Sequence, residues 1–116
     1  LAYAPLGAVT LTGKYLNGQR PPGTRLIIWP DNRRYQGARA EAAVAAYVDL
    51  ARQCGLDPAQ MALAFVFSRP FLTAAIIGAT TLDQLRSNIA AADLTLPPEA
   101  VAGIERIHAV HTYPCP

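Results

Sequence analysis

The stretch Ile76-Ile77-Gly78-Ala79-Thr80-Thr81-Leu82-Asp83-Gln84-Leu85-Arg86-Ser87-Asn88-Ile89 reads as a short buried strand, a glycine turn and the opening of a helix. Such a junction can hold an anion. The first turn of a helix presents unpaired backbone N–H groups and a partial positive charge, and small residues ahead of it leave the approach open. Thr81 is placed to cap the helix, and Gln84, three residues on, completes a capping-box pattern. Gln84, Ser87 and Asn88 share one polar face of that helix, while Leu82, Leu85 and Ile89 share another. The expectation is that the apolar face packs and the polar face is left to hold a ligand. A plain capped amphipathic helix has the same pattern.

Positive charge is concentrated elsewhere. Between Lys14 and Arg39 stand Lys14, Arg20, Arg25, Arg33, Arg34 and Arg39 against the single acid Asp31, so this segment is net +5 in a chain of net +2, and the remainder is net −3. A solvated basic loop and an anion site for phosphate groups both fit that distribution. Other combinations do not hold up as chemistry. Gly7 to Tyr15 imitates a P-loop, yet five residues separate Gly7 from Gly13, and Tyr15 stands where a magnesium-binding hydroxyl is required. His108 and His111 have only Glu105 nearby, too few groups for a metal. Ser68 and Ser87 have no adjacent histidine to act as a base. Trp29 fits equally well packed on the body of the fold or facing a substrate.

The elements that must position these residues follow from pattern and punctuation. Leu1 to Ala4 is strand-like and ends at Pro5-Leu6-Gly7; the run to Gly37, with Gly13, Gly18, Pro21, Pro22, Gly23 and Pro30, is a long loop without sustained period. Ala38 to Cys54 is a helix whose Val44, Tyr47, Val48 and Ala51 form one stripe, with Gly55 as its stop. Asp57-Pro58 starts another, apolar almost all round from Met61 to Phe67. Thr73 to Ile77 reads as a buried parallel strand, a helix runs from the glycine turn to about Ala92, and a last one begins at Pro97-Pro98-Glu99 with Val101, Ile104 and His108 on one side. The tail Thr112 to Pro116 cannot continue it. This order is α/β, with two parallel strands joined by a helical crossover.

Bulk properties narrow the setting. The chain has 116 residues, 52% of them hydrophobic, and no apolar run approaches the roughly 20 residues of a membrane-spanning helix. Cys54 and Cys115 are isolated and read as reduced thiols. A cytoplasmic chain with no membrane partner is the expectation. Since two strands cannot make a sheet covered on both faces, and Leu1 opens directly into a strand, we expect a piece of a larger α/β fold. Nucleic-acid binding through a helix–turn–helix over Arg39 to Ser68 is disfavoured, because Met61 to Phe67 would offer an apolar face to the groove.

Four segments taken together carry a family resemblance: Tyr3-Ala4-Pro5-Leu6-Gly7, Leu11-Thr12-Gly13-Lys14-Tyr15, Asp57-Pro58-Ala59-Gln60-Met61-Ala62-Leu63-Ala64, and Ile77 to Asn88. In order and spacing they resemble the carboxy-terminal part of an aldo-keto reductase, and Thr112-Tyr113-Pro114 is similar to the close of the bacterial Tas-like branch. The resemblance implies the carboxy-terminal portion of a (β/α)8 TIM barrel that uses NADP(H) to reduce aldehydes and ketones. Leu1 to Ala4 would be strand seven and Thr73 to Ile77 strand eight, whose loops are a common phosphate site in such barrels. It further implies that Tyr3 stacks on the nicotinamide, that Pro5, Leu6 and Gly7 follow the pyrophosphate with their backbone, and that Lys14 and Arg25 grip cofactor phosphates. Gly78 and Thr80 would meet the adenosine phosphate, with Gln84 and Asn88 at the adenine and its ribose. Ala4 departs from the family's serine, and Thr80-Thr81 lacks the Arg or Lys that many members set against the 2′-phosphate. The proton-donating Tyr and its Lys, Asp and His partners belong to earlier strands in this family, and none of those motifs occurs here, so the chain alone is expected to be inactive, with strand edges open to self-association. The competing reading is a non-catalytic nucleotide-binding or subunit-interaction module.

Overall fold

The nearly uniform apolar segment predicted from Asp57 onward becomes the centre of the molecule. In the computed structural model, which describes residues 1–31 and 33–115, it forms a helix over Pro58–Phe67. Asp57 Oδ1 accepts the Gln60 N–H at 2.9 Å, and Pro58 has no N–H to leave unsatisfied, so the start is set by two adjacent residues. The regular elements are β1 (Ala2–Tyr3), α1 (Arg25–Ile28), α2 (Ala38–Gln53), α3 (Pro58–Phe67), β2 (Ala75–Ile76), α4 (Leu82–Ala90) and α5 (Pro98–Val110).

Helix α3 is shared by two cores. On one side Met61 joins Ala51 and Ile104, with Tyr47, Leu50, Leu56, Phe65 and Leu96 around them, tying α2 and α5 together. On the other, fully buried Leu63 joins Leu6 and Ala91, flanked by Ala59, Ala62, Phe67 and Ile77, which links the loop after β1 to the exit of β2 and the 3₁₀ turn Ala91–Asp93 after α4. A helix with apolar residues on opposite sides is needed for that double duty. Burying a side chain such as Leu63 is worth about 1.5–3 kcal/mol.

The stripe predicted on α2 is the face that packs: Val44, Val48 and Ala51 are buried and Tyr47 half-buried. The helix ends at Gly55, φ 67°, where the Gly55 N–H reaches the Arg52 carbonyl (3.0 Å) and the Leu56 N–H the Ala51 carbonyl (2.8 Å), a closure that needs the left-handed residue. Helix α5 differs from expectation in its contact face. Ala100, Gly103 and Ile104 are buried, whereas His108 is exposed. Gly103 is the reason: a Cβ there would stand 2.5 Å from Leu50 Cδ1, so only the missing side chain lets α5 approach α2 this closely.

β1 and β2 pair in parallel, Ala2 with Ala75 and Tyr3 with Ile76. Both strands are shorter than Leu1 to Ala4 and Thr73 to Ile77, and β2 is not buried, since Ile76 is 50% exposed. Among the described residues each strand has the other as its one neighbour, and Ala2 and Ala75 are only half-buried. The long loop from Pro5 to Gly37 also departs from expectation, for it contains α1 and the 3₁₀ turns Thr10–Thr12, Leu16–Gly18 and Arg33–Tyr35. Turns of this kind leave no long period. They are closed locally by threonine hydroxyls donating to carbonyls three residues back: Thr10 to Gly7 (2.7 Å), Thr12 to Val9 (2.7 Å) and Thr24 to Pro21 (2.6 Å). Cys54 and Cys115 are free thiols, and burial raises the Cys115 thiol above its ordinary value, partly offset by Arg34. The last helix stops at Val110, and Pro116 of the tail lies outside the described residues. No helix among the described residues is long and apolar enough to cross a membrane.

Candidate functional site

Because Tyr3 lies opposite Ile76 in a parallel pair, the segments that follow the two strands leave the sheet at the same end. Pro5-Leu6-Gly7 and Gly78-Ala79-Thr80 therefore begin side by side, the usual place for a ligand in parallel sheets. Tyr3, 80% exposed, stands at that end with its ring available for stacking.

The turn after β1 is held in an uncommon backbone conformation. Gly7 donates to the Ala4 carbonyl at 2.9 Å, and Ala4, Gly7, Ala8 and Val9 all have positive φ, between 51° and 66°. For residues other than glycine this costs about 1–2 kcal/mol each, most pointedly for β-branched Val9. Burial of Leu6, Ala8 and Thr10 over-determines it. The Leu6 side chain is used for the core, so this residue can meet a ligand only through its backbone. At Gly7 a Cβ would approach Thr10 Oγ1 to 3.1 Å and the Tyr35 ring to 3.6 Å.

Lys14 and Arg25 lie in segments joined by a buried hydrogen bond: the Leu26 N–H donates to the Tyr15 hydroxyl at 3.3 Å. Lys14 Nζ lies 5.8 Å from the Tyr15 ring centroid, and Arg25 is exposed at the first position of α1. Neither cation is in an ion pair among the described residues, whereas Arg52, Arg69 and Arg86 pair with Asp49, Glu105 and Asp83. Trp29 is 62% exposed beside exposed Ile27 and Ile28, so it faces outward.

At the start of α4, Thr81 Oγ1 accepts the Gln84 N–H at 3.2 Å, as a cap should. The reciprocal half of the box reaches one residue further back: Gln84 Oε1 accepts from the Thr80 N–H (3.0 Å) and the Thr80 hydroxyl (3.1 Å). Gly78, Thr80 and Gln84 are exposed. Against the sequence expectation, the apolar face of α4 is not the one that packs, while Gln84 on the polar face stays exposed as expected. Asn88 is only 6% exposed, and Leu82, Leu85 and Ile89 are 69%, 38% and 59% exposed. The Ser87 carbonyl accepts Gln60 Nε2 at 3.1 Å and Ala91, just after α4, enters the core, so α4 leans on α3 through the Ser87–Asn88 side, and Leu82 and Ile89 on its apolar side stay exposed. Asn88 as a residue is largely covered, but no fully buried side-chain nitrogen or oxygen among the described residues lacks a hydrogen-bond partner.

The predicted residues thus form two groups and one outlier. Tyr3, Pro5, Leu6 and Gly7 share an end of the sheet with Gly78, Thr80 and Gln84; Lys14 and Arg25 share the basic loop; Asn88 lies a turn further along α4, on the side that meets α3. No hydrogen bond or ion pair joins the basic loop to α4 among the described residues. Sequence reading passed over the two residues that fasten these groups to the scaffold, Tyr15 and Gln60. Gln60 carried a signal, as the one side-chain amide at the head of an apolar helix. An apolar cavity of about 200 Å³ touches the first group at Pro5 and is otherwise lined by Leu11, Tyr47, Met61, Phe65 and Ile104. Burial, and then the charge of Glu105, raise the Tyr47 phenol above its ordinary value.

Comparison with known proteins places the chain in a family. A family model described as the aldo/keto reductase family matches residues 1–109. The chain is 54% identical over all 116 residues to the Tas protein of Escherichia coli K12, covering 34% of that protein. It is 41% identical over 92 residues to an aldo-keto reductase of Babesia bovis, covering 77% of this chain and 32% of the relative. A protein of Oryza sativa subsp. japonica named probable voltage-gated potassium channel subunit beta is 31% identical over 112 residues, 90% of this chain and 34% of the relative. The chain spans about a third of the length of the curated relatives it matches. With the family model covering nearly all of it and the Tas protein matched along its whole length, this chain belongs to the aldo/keto reductase family of oxidoreductases, in the Tas-like branch.

Proposed function

We propose that the chain forms strands seven and eight, with their helices, of an aldo-keto reductase (β/α)8 barrel, and that it holds the cofactor-phosphate half of an NADP(H) site. The observation that carries this reading is the parallel register of Tyr3 with Ile76, which brings Pro5-Leu6-Gly7 and Gly78-Ala79-Thr80 to one end of the sheet. When bound, NADPH supplies the hydride that reduces a small aldehyde or ketone. Tyr3 offers a ring for the nicotinamide, and the strained Ala4–Val9 turn offers backbone to the pyrophosphate. Lys14 and Arg25 give unpaired positive charge. Gly78 and Thr80 receive the adenosine phosphate at the start of α4, where an anion takes over the Thr80 N–H from Gln84 Oε1 and frees that carboxamide for the adenine. The Asn88 amide fits a ribose contact.

The proton donor and its partners lie, on this reading, on strands outside the chain; Tyr3, Lys14, Asp49 and His108 do not replace them. Preference for NADP over NAD rests on the family alone, because Thr80 and Thr81 bring no cation. The setting is cytoplasmic, with no membrane or nucleic-acid partner, and the exposed strand edges favour self-association of the chain by itself. The test is a titration of the purified chain with NADPH, followed by a reactive aldehyde. Binding at micromolar concentration without NADPH oxidation is expected; robust turnover would show that the chemistry lies within these residues. A subunit-interaction module is the second reading, favoured by the likeness to the Oryza channel-subunit relative and by the exposed Leu82 and Ile89 of α4. Absence of NADPH binding selects it.

A further inference from the structure

We infer that Tyr15 is a positioning residue that sets the spacing of Lys14 and Arg25, and so the strength with which the basic loop holds a phosphate-bearing ligand. This rests on the cofactor reading above. Tyr15 is 8% exposed and touches both cationic segments at once. Its ring lies 5.8 Å from Lys14 Nζ, and its hydroxyl oxygen accepts the N–H of Leu26, the residue after Arg25. Leu26 is itself 4% exposed, so both ends of this bond are buried, and the desolvated N–H has a strong requirement for that acceptor.

The sequence between the two ends gives the bond its importance. Residues 16–24 include Asn17-Gly18 and Pro21-Pro22-Gly23, with Asn17, Gly18 and Gly23 in left-handed conformation, a run that turns but does not anchor. Within residues 5–31, the bond between Tyr15 and Leu26 is the one described side-chain hydrogen bond that spans more than five positions. The near end of the loop is fastened to α2, because Gly13 leaves room for Val48, whose Cγ2 would stand 3.1 Å from a Cβ at that position. The far end has Tyr15. Without that bond the far end is held by the packing of Leu26 and by its short turns alone, so Lys14 stays with α2 while Arg25, at the exposed start of α1, is less closely fixed against it. A cation held in place loses less conformational entropy on meeting an anion than one that must be recruited.

Tyr15→Phe keeps the buried ring and removes the acceptor. Its effect is measured by NADPH titration of the chain and, so that solubility of the free chain does not decide the matter, of the same sequence exchanged for the matching third of the Escherichia coli Tas protein. The expected result is about fivefold weaker NADPH binding, the worth of one ordinary hydrogen bond. In an Arg25→Ala background the same substitution should cost less than twofold, since there is no second cation left to position. Equal losses in both backgrounds, or an unchanged affinity in Tyr15→Phe, overturn the inference and leave Tyr15 a packing residue. If Lys14→Ala and Arg25→Ala leave NADPH affinity unchanged, it is the cofactor reading itself that fails.

Discussion

The two sides of α3 are built on different terms. Toward α2 and α5 every packing partner comes from the chain itself: Met61 against Ala51 and Ile104, and Gly103 against Leu50, with Arg69 stacked 4.2 Å from the Phe65 ring and 3.9 Å from Glu105. Toward β1, β2 and α4 a small core of Leu6, Leu63 and Ala91 holds a surface on which Leu1, Tyr3, Phe71 and Leu82 are 82%, 80%, 83% and 69% exposed. Scattered exposed apolar residues are ordinary, but Tyr3 and Ile76 are a paired couple on the two strands, and Leu82 and Ile89 lie on one helix. The helical side is packed apart from an apolar cavity of about 200 Å³ beside Tyr47, Met61, Phe65 and Ile104, and the strand side presents a face and two edges that call for further structure. The proposed cofactor contacts of β1 and α4 lie on the incomplete side.

Substitutions can break or sharpen that contrast. The largest effect is expected from Leu63→Ala, which should lower unfolding free energy by about 2–5 kcal/mol, while Leu82→Ala should change it by less than about 0.5 kcal/mol. Denaturant midpoints decide this, and a comparable loss at both positions would show that α4 packs its apolar side after all. Next, Gly55→Ala forces a left-handed alanine at the end of α2 and should cost about 1–2 kcal/mol, read as a lower thermal midpoint. Gln60→Ala removes the hydrogen bond from α3 to the Ser87 carbonyl, worth about 1 kcal/mol. Its signature should be local: faster amide exchange in α4, with α2 and α5 unchanged. Equal acceleration throughout would mean that the two sides unfold as one unit.

The smallest effect concerns pH. Burial and Glu105 raise the Tyr47 phenol, so the unfolded chain loses this proton near pH 10.0 and the folded chain only above it. Stability from this group is therefore full below pH 10 and is lost as pH climbs through the higher folded value. Tyr47→Phe should remove that alkaline decline, as followed by helix signal against pH.

Particular residues show how much was legible in advance. Asp57-Pro58, Thr81 and Gly55 marked helix ends correctly because capping is decided within a few residues of the end itself. The stripe of α2 was legible since its period and its partner agree. The packing side of α4 was misread: periodicity tells which residues share a side, and cannot tell which side meets the body of the protein. The loop from Pro5 to Gly37 concealed α1 and three tight turns, whose bonds reach only three residues and leave no period to detect.

By itself, then, the sequence determined the four longer helices, the caps of α3 and α4, the α/β order and, through four motifs in register, the family, all of which are local or additive along the chain. Only the tertiary structure decided that Asn88 is buried while Leu82 is bare, and that Leu6 contributes backbone alone to its turn. It also decided that Tyr15 joins the segments of Lys14 and Arg25. Those outcomes depend on which surfaces meet across α3, and contact between distant residues has no signature in the spacing of either one.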